Sequence, residues 1–291
     1  MNRPRHRLSE WLITLPSLLW LTVLFLIPTL IVFAIAFKPA DPSGGVGAGW
    51  TLRTVLNWSS LNYPGVIWRT FWISTVTTAI CIFMAVPCAY YIARTRERLR
   101  QFLLLLVIVP FWTNFLIRVF AWKVVLHPEG WLKKALVTAH CIPENGTLLY
   151  TPVAVLLVMV YTYLPFAILP IYAAAEKFDF RLIEAARDLG ARSLQAFFKV
   201  FIPAINRGVA TAVLMVFIPA LGAYVIPDLV GGPNSEMLGN KIAQRTFVDR
   251  NLPHASWLAA VLTLAVLAPM IIVLVQQNRR KGRGSIFMEG V

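Results

Sequence analysis

Charge is scarce in this chain. Of 291 residues only 13 are Asp or Glu, and charged residues of both signs make up 14% of the whole, well below the roughly 25% of a soluble domain. That scarcity excludes a protein kept in solution by its own polar surface. Cysteine is scarce too: Cys81, Cys88 and Cys141 show no CxxC spacing, which excludes a disulfide scaffold or zinc framework and leaves small apolar residues or free thiols. The histidines His6, His127, His140 and His254 have no metal-ligand spacing, and no Ser/His pair or paired carboxylate stands out as a catalytic or metal site. No Lys is preceded by Gly, so the phosphate-binding GxxxxGK[ST] loop is missing and the chain is not an ATPase on its own. Internal repeats, low-complexity tracts and long linkers are absent as well.

Apolar residues are what the sequence has in abundance. They make up 58% of the chain, and the mean hydropathy is +0.69. A bilayer core about 30 Å thick takes roughly 20 apolar residues per helix. Six segments qualify, at about 11 to 37, 67 to 93, 101 to 126, 149 to 175, 208 to 230 and 254 to 276. The first follows the basic "RPRHR", but its apolar run exceeds the ~7–15 residues of a signal-peptide core and no small-residue cleavage site follows, so it is expected to remain as a span.

An even number of spans puts both termini on one side. The N-terminal segment, the 94 to 100 loop, the loop before the fifth span and the tail together hold 17 Lys and Arg, against seven in the opposite loops. The richer side is the cytoplasmic one. Membrane orientation therefore explains the net charge of +14, with no nucleic acid required. The expected organisation is an all-α integral membrane protein: a cytoplasmic N-terminus at 1–10, one six-span domain at 11–276 and a basic cytoplasmic tail at 277–291. The outward loops include the Gly- and Pro-rich "KPADPSGGVGAGW" and the turn "GGPNS".

One cytoplasmic loop, at about 178–206, is patterned like folded structure. Leu182, Ala185, Ala186 and Leu189 fall at helical spacing, with Arg181, Glu184 and Asp188 on the other side. Gly190 stands where a helix ends in the left-handed region. Ser193 is placed to cap a second helix that carries Leu194, Phe197, Phe198 and Phe201, and Pro203 is placed to end it. The residues predict two short amphipathic helices joined by a sharp turn. From the pattern alone, a helix lying at the membrane interface fits equally well.

"EAARDLG" followed by "VFIP" resembles the EAA signature of the permease subunits of binding-protein-dependent type I ABC importers. The family usually has Ile and Leu where this chain has Val200 and Ile202. The resemblance implies that Glu184, Ala185, Ala186, Asp188, Gly190 and Pro203 belong to a coupling helix seated in a separate ATPase subunit. It implies further partners: two ATPase subunits that bind ATP and Mg, a second homologous permease and a periplasmic binding protein, in a bacterial inner membrane. The chain itself would hold no cofactor.

"PFWTNFLIRVFAW" and "LGAYVIPDLVGGPNSEMLGNKI" followed by "NLPHASW" resemble the spermidine/putrescine subgroup. Permeases for ferric iron, sulfate and molybdate share the plan and are the alternatives; a membrane-embedded enzyme or a passive channel would be of another class. A polycation is best met by a carboxylate and aromatic faces, which points to Asp228, Trp112, Tyr161, Tyr163 and Tyr224 along the path. Capping at the headgroups and the usual aromatic belt account for the same residues. Arg118 and Lys123, as charges within a span, mark function or assembly, and assembly is the expected role. The prolines of "LPFAILP" and "IPALGAYVIP" are read as pathway elements or as ordinary helix curvature.

Overall fold

The computed structural model describes residues 14–41, 44–56, 63–140, 142–144 and 146–286. Cys141 and the basic residues of the N-terminal segment lie outside these. Helices dominate: α1 (Thr14–Ile35), α2 (Tyr63–Arg94), α3 (Glu97–Trp112), α4 (Phe115–Val125), α5 (Trp131–Thr138), α6 (Pro152–Ala175), α7 (Arg181–Asp188), α8 (Ser193–Ala204), α9 (Asn206–Leu221), α10 (Val225–Val230), α11 (Leu238–Ala243) and α12 (Leu252–Ile286).

The chain forms two compact units. One comprises Met1–Pro64 with Lys241–Leu264, and the other Gly65–Asn240 with Ala265–Val291. In the first, the backbone folds on itself through Gly45 N–H, which donates to Arg250 O at 2.8 Å. Arg245 pairs with Asp249 at 2.8 Å and lies over the Tyr63 ring. None of the described residues in the apolar stretch of α1 is buried.

In the second unit, α6 and α9 pack against each other. Small or β-branched residues line the seam, among them Ala167, Val158, Ala212, Val216 and Ala220, all fully buried. Small side chains let backbones approach closely where lipid supplies no hydrophobic drive between helices.

Among the described residues three helices are long and apolar enough to cross a membrane, or up to five if each bent pair counts as one span. The expected spans at 11 to 37, 67 to 93 and 149 to 175 correspond to α1, α2 and α6. The span expected at 101 to 126 is instead bent by 92° between α3 and α4. Pro110 lies in a 3-10 turn, and the Asn114 side chain caps α4 by accepting from Leu116 N–H at 2.8 Å; a capped helix start is a fresh beginning rather than a continuation. The span expected at 208 to 230 ends early, at Leu221, and Gly222 to Tyr224 separate it from α10. The last apolar stretch, Leu252–Ala268, is shorter than the others and lies within the longer α12.

Candidate functional site

Two places gather the residues picked out by sequence. The first is the segment from Asp179 to Ile205 between α6 and α9. Its α7 begins where Asp179 accepts Arg181 N–H at 3.0 Å. It ends in a paired C-terminal motif: Gly190 N–H donates to Arg187 O at 2.9 Å, and Ala191 N–H to Ala186 O at 3.0 Å. Gly190 has φ of +90°, and a Cβ there would meet nothing within 4 Å. Backbone conformation, not space, is what selects glycine.

The second arm starts differently from the expectation for Ser193. Arg192 is the cap residue, with Ser193 the first helical position, and Gln195 Oε1 accepts Arg192 N–H at 3.0 Å. The helix then widens to a π-turn over Phe197–Phe201, and Ile202 N–H bonds back to Phe197 O. The wide turn leads directly into Pro203, which has no N–H to offer the ladder. At Ile205 the chain bends 71° into α9.

The loop therefore has two faces. Leu189 (89% exposed), Leu194 (72%) and Phe198 (60%) point outward with Leu182, whereas Ile183, Ala196 and Phe201 are buried. The expected stripe of Leu194, Phe197, Phe198 and Phe201 is thus split, with Phe197 and Phe201 turned inward. An open cleft of about 760 Å³ runs along the turn, lined by Glu184, Arg187, Asp188, Gly190, Ala191, Arg192 and Ser193.

The second place is the interruption after α9. A cavity of about 190 Å³ is lined by Phe115, Tyr163, Pro219 and the run from Gly222 to Ile226. The Tyr163 hydroxyl donates to Pro219 O at 3.3 Å. The unwound segment is held from outside: Asn240 Nδ2 donates to Tyr224 O at 3.1 Å and to Asp228 Oδ1 at 3.4 Å, while its Oδ1 accepts Met237 N–H at 3.2 Å. A Cβ at Gly239 would stand 2.6 Å from Ala223 O, so only glycine allows α11 to lie this close. Leu238 N–H donates to the buried Thr70 hydroxyl at 2.8 Å, and Arg69 donates to Pro233 O.

A family model described as "binding-protein-dependent transport system inner membrane component" matches residues 82–281. The chain belongs to this family. The spermidine/putrescine transport system permease protein PotB of Haemophilus influenzae is 37% identical over 264 residues, covering 91% of this chain and 92% of the relative. The protein of the same name in Escherichia coli K12 is 33% identical, covering 89% and 94%. An inner membrane ABC transporter permease protein, YdcU, of E. coli K12 is 32% identical over 73% of this chain and 69% of its own length. The crystal structure of a bacterial ABC transporter that imports alginate superposes with a TM-score of 0.69 over 95% of this chain and 96% of that one, at 16% identity. That likeness establishes the permease fold.

In this inner membrane component, Glu184, Asp188 and Gly190 share the cleft of the α7–α8 turn, while Ala185 is exposed beside it, Ala186 is partly covered and Pro203 lies a helix away. Tyr163 and Tyr224 both line the cavity after α9, and Asp228 follows within α10. Trp112 and Tyr161 are not among the cavity's lining residues: Trp112 is exposed, and Tyr161 packs edge-on against Trp122 at 5.3 Å. Sequence reasoning passed over Asn240 and Phe115. Asn240 carried a faint signal, a lone amide directly after the Gly of "LGNKI".

Proposed function

We propose that this chain is one of two permease subunits in a bacterial ABC importer for polyamines. The observation that carries the reading is 37% identity to a spermidine/putrescine permease along nine-tenths of both chains. The chain crosses the inner membrane six times, with both termini and the α7–α8 loop in the cytoplasm, as the distribution of Lys and Arg implies. The bent pair α3–α4 then counts as a single crossing element, and α9, beyond the 71° bend from the cytoplasmic α8, begins the fifth crossing.

The outward apolar side chains Leu189, Leu194 and Phe198 seat the loop in a cleft of an ATPase subunit. Two ATPase subunits supply ATP hydrolysis, a second homologous permease completes the path, and a periplasmic binding protein delivers the solute. Glu184, Ala185, Ala186, Asp188, Gly190 and Pro203 form the coupling element. Asp228 and Tyr224, next to the interruption after α9, present a carboxylate and an aromatic face of the kind a polycation binds, with Tyr163 behind them. Arg118 takes no part in that path. Its guanidinium lies 5.0 Å from the Phe111 ring centroid and the residue is only partly buried, which suits a role in subunit assembly, meeting an acid of the second permease.

The test is uptake of labelled spermidine and putrescine into cells lacking this chain and cells with it restored, with ferric iron and sulfate as comparators. Loss and rescue of polyamine uptake is the expected result. Unchanged polyamine uptake with loss of another solute would overturn the substrate and leave the importer role.

A further inference from the structure

Both arms of the α7–α8 loop converge on a single ring, that of Tyr90 on α2. Phe180, at the entry to α7, meets it edge-on at 5.8 Å between centroids; Phe197 of α8 does so at 5.1 Å and Phe201 at 4.8 Å. The phenylalanines also lock to one another. Phe178 stands edge-on to Phe180 at 5.3 Å and to Phe201 at 5.4 Å, and Phe197 stacks on Phe201 at 5.4 Å. Phe201 at the centre is fully buried.

One helical turn beyond Tyr90, Arg94 closes the cluster from outside. Its Nη1 donates to the Tyr90 hydroxyl at 2.8 Å, and its guanidinium lies over the rings of Tyr90 at 5.5 Å and Phe180 at 5.7 Å. Tyr90 and Arg94 are four residues apart and so share a face of α2.

The position of this cluster matters more than its stability. Along the chain the loop continues into α9 only through the 71° bend at Ile205, and α9 runs beside α6. A bent joint passes on a push poorly. The ring cluster, by contrast, ties the loop to the end of an unbroken 32-residue helix that is remote from it in sequence and carries Pro87 less than a turn before Tyr90, and interlocked aromatic rings have few ways to slide past one another because interiors pack in discrete arrangements.

We propose that Tyr90 is the positioning residue through which movement of the α7–α8 loop reaches α2, with Arg94 holding the ring in place. The inference rests on the loop being the ATPase-docking element. When the loop shifts, the phenylalanine cluster and the end of α2 move as one body, and α2 carries the displacement into the membrane.

The test uses the complete transporter in proteoliposomes with labelled spermidine. In the Tyr90→Ala variant the ATPase subunits stay bound and ATP hydrolysis continues, while spermidine transported per ATP falls about tenfold. Tyr90→Phe keeps the ring and restores most of the coupling. Wild-type coupling in Tyr90→Ala, or equal losses in Ala and Phe, would overturn the proposal.

A second measurement leaves Tyr90 intact. Spin labels at the exposed positions Leu194 and Tyr91 should keep their separation within ~2 Å between nucleotide-free and ATP-trapped states, whereas a change of ~5 Å, the size of a one-turn ratchet, would mean that the loop slides over α2. Cross-linking from a cysteine placed at Leu189 to the ATPase, carried out in parallel, separates the two ideas. No cross-link would sink the docking reading itself; a cross-link with uncoupled motion would sink only the role of Tyr90.

Discussion

Asn240 holds Asp228 in place: its side-chain amide donates to the Asp228 carboxylate at 3.4 Å and, with the same nitrogen, to the Tyr224 carbonyl at 3.1 Å. One amide thus fixes the acid and ties down the unwound backbone in front of it. Asp228→Asn removes the charge and little else, so half-saturating spermidine should rise about tenfold, the equivalent of ~1.4 kcal/mol. Asn240→Ala frees the segment and should cost about 1–3 kcal/mol in thermal unfolding of the purified protein. An unchanged spermidine requirement in Asp228→Asn would take that residue off the path.

Gly190 sits in open space with φ of +90°. Alanine there meets no neighbour, so any loss measures backbone strain alone, about 1–2 kcal/mol for an L-residue in the left-handed region. Asn, which tolerates that region, should lose less. Gly190→Val should express normally yet uncouple transport from ATP hydrolysis, because a β-branched residue resists positive φ most strongly. Wild-type transport in the Val variant would show that the angle between the two arms is not what matters.

Leu189 is the most exposed apolar side chain of the turn, and exposed apolar clusters rimmed by polar groups mark binding surfaces. Leu189→Asp should abolish co-purification of the ATPase subunits while leaving the thermal stability of the isolated permease within about 0.5 kcal/mol. Retained ATPase at wild-type stoichiometry would mean that the partner binds elsewhere.

Arg118 has an aromatic ring beneath it and no acceptor for its buried Nε. Arg118→Glu should halve or worse the recovery of the second permease in a pull-down on this chain, whereas Arg118→Lys, which keeps the charge, should lose less. Equal recovery in both would end the assembly role and return the residue to consideration as a solute contact.

Much of the loop was legible because its signals are local. Gly190 announces a left-handed turn by its position after Leu189, and α7 follows the spacing of its apolar residues. The faces of α8 were not legible, since the π-turn at Phe197–Phe201 shifts the angular period and sends Phe197 and Phe201 inward while Phe198 points out. Hydropathy likewise finds apolar stretches but not their direction, and so 101 to 126 reads as one straight span although Pro110 and the Asn114 cap turn it through a right angle. Asn240 escaped notice because its partners, Tyr224 and Asp228, lie 16 and 12 residues away, and only the close approach permitted by Gly239 brings them together.

The right-angle turn after Trp112 has a consequence for the surrounding lipid. At about 1.5 Å per residue, the run from Glu97 to Trp112 rises only some 24 Å, short of the roughly 30 Å of an average hydrocarbon core. A run of that length does not cross by itself, so α4 has to complete the crossing or the bilayer has to thin around the pair, since mismatch is relieved by thinning or by tilt. Acyl-chain length then becomes a variable of transport, and vesicles made from short-chain and long-chain phospholipids should not support the same rate.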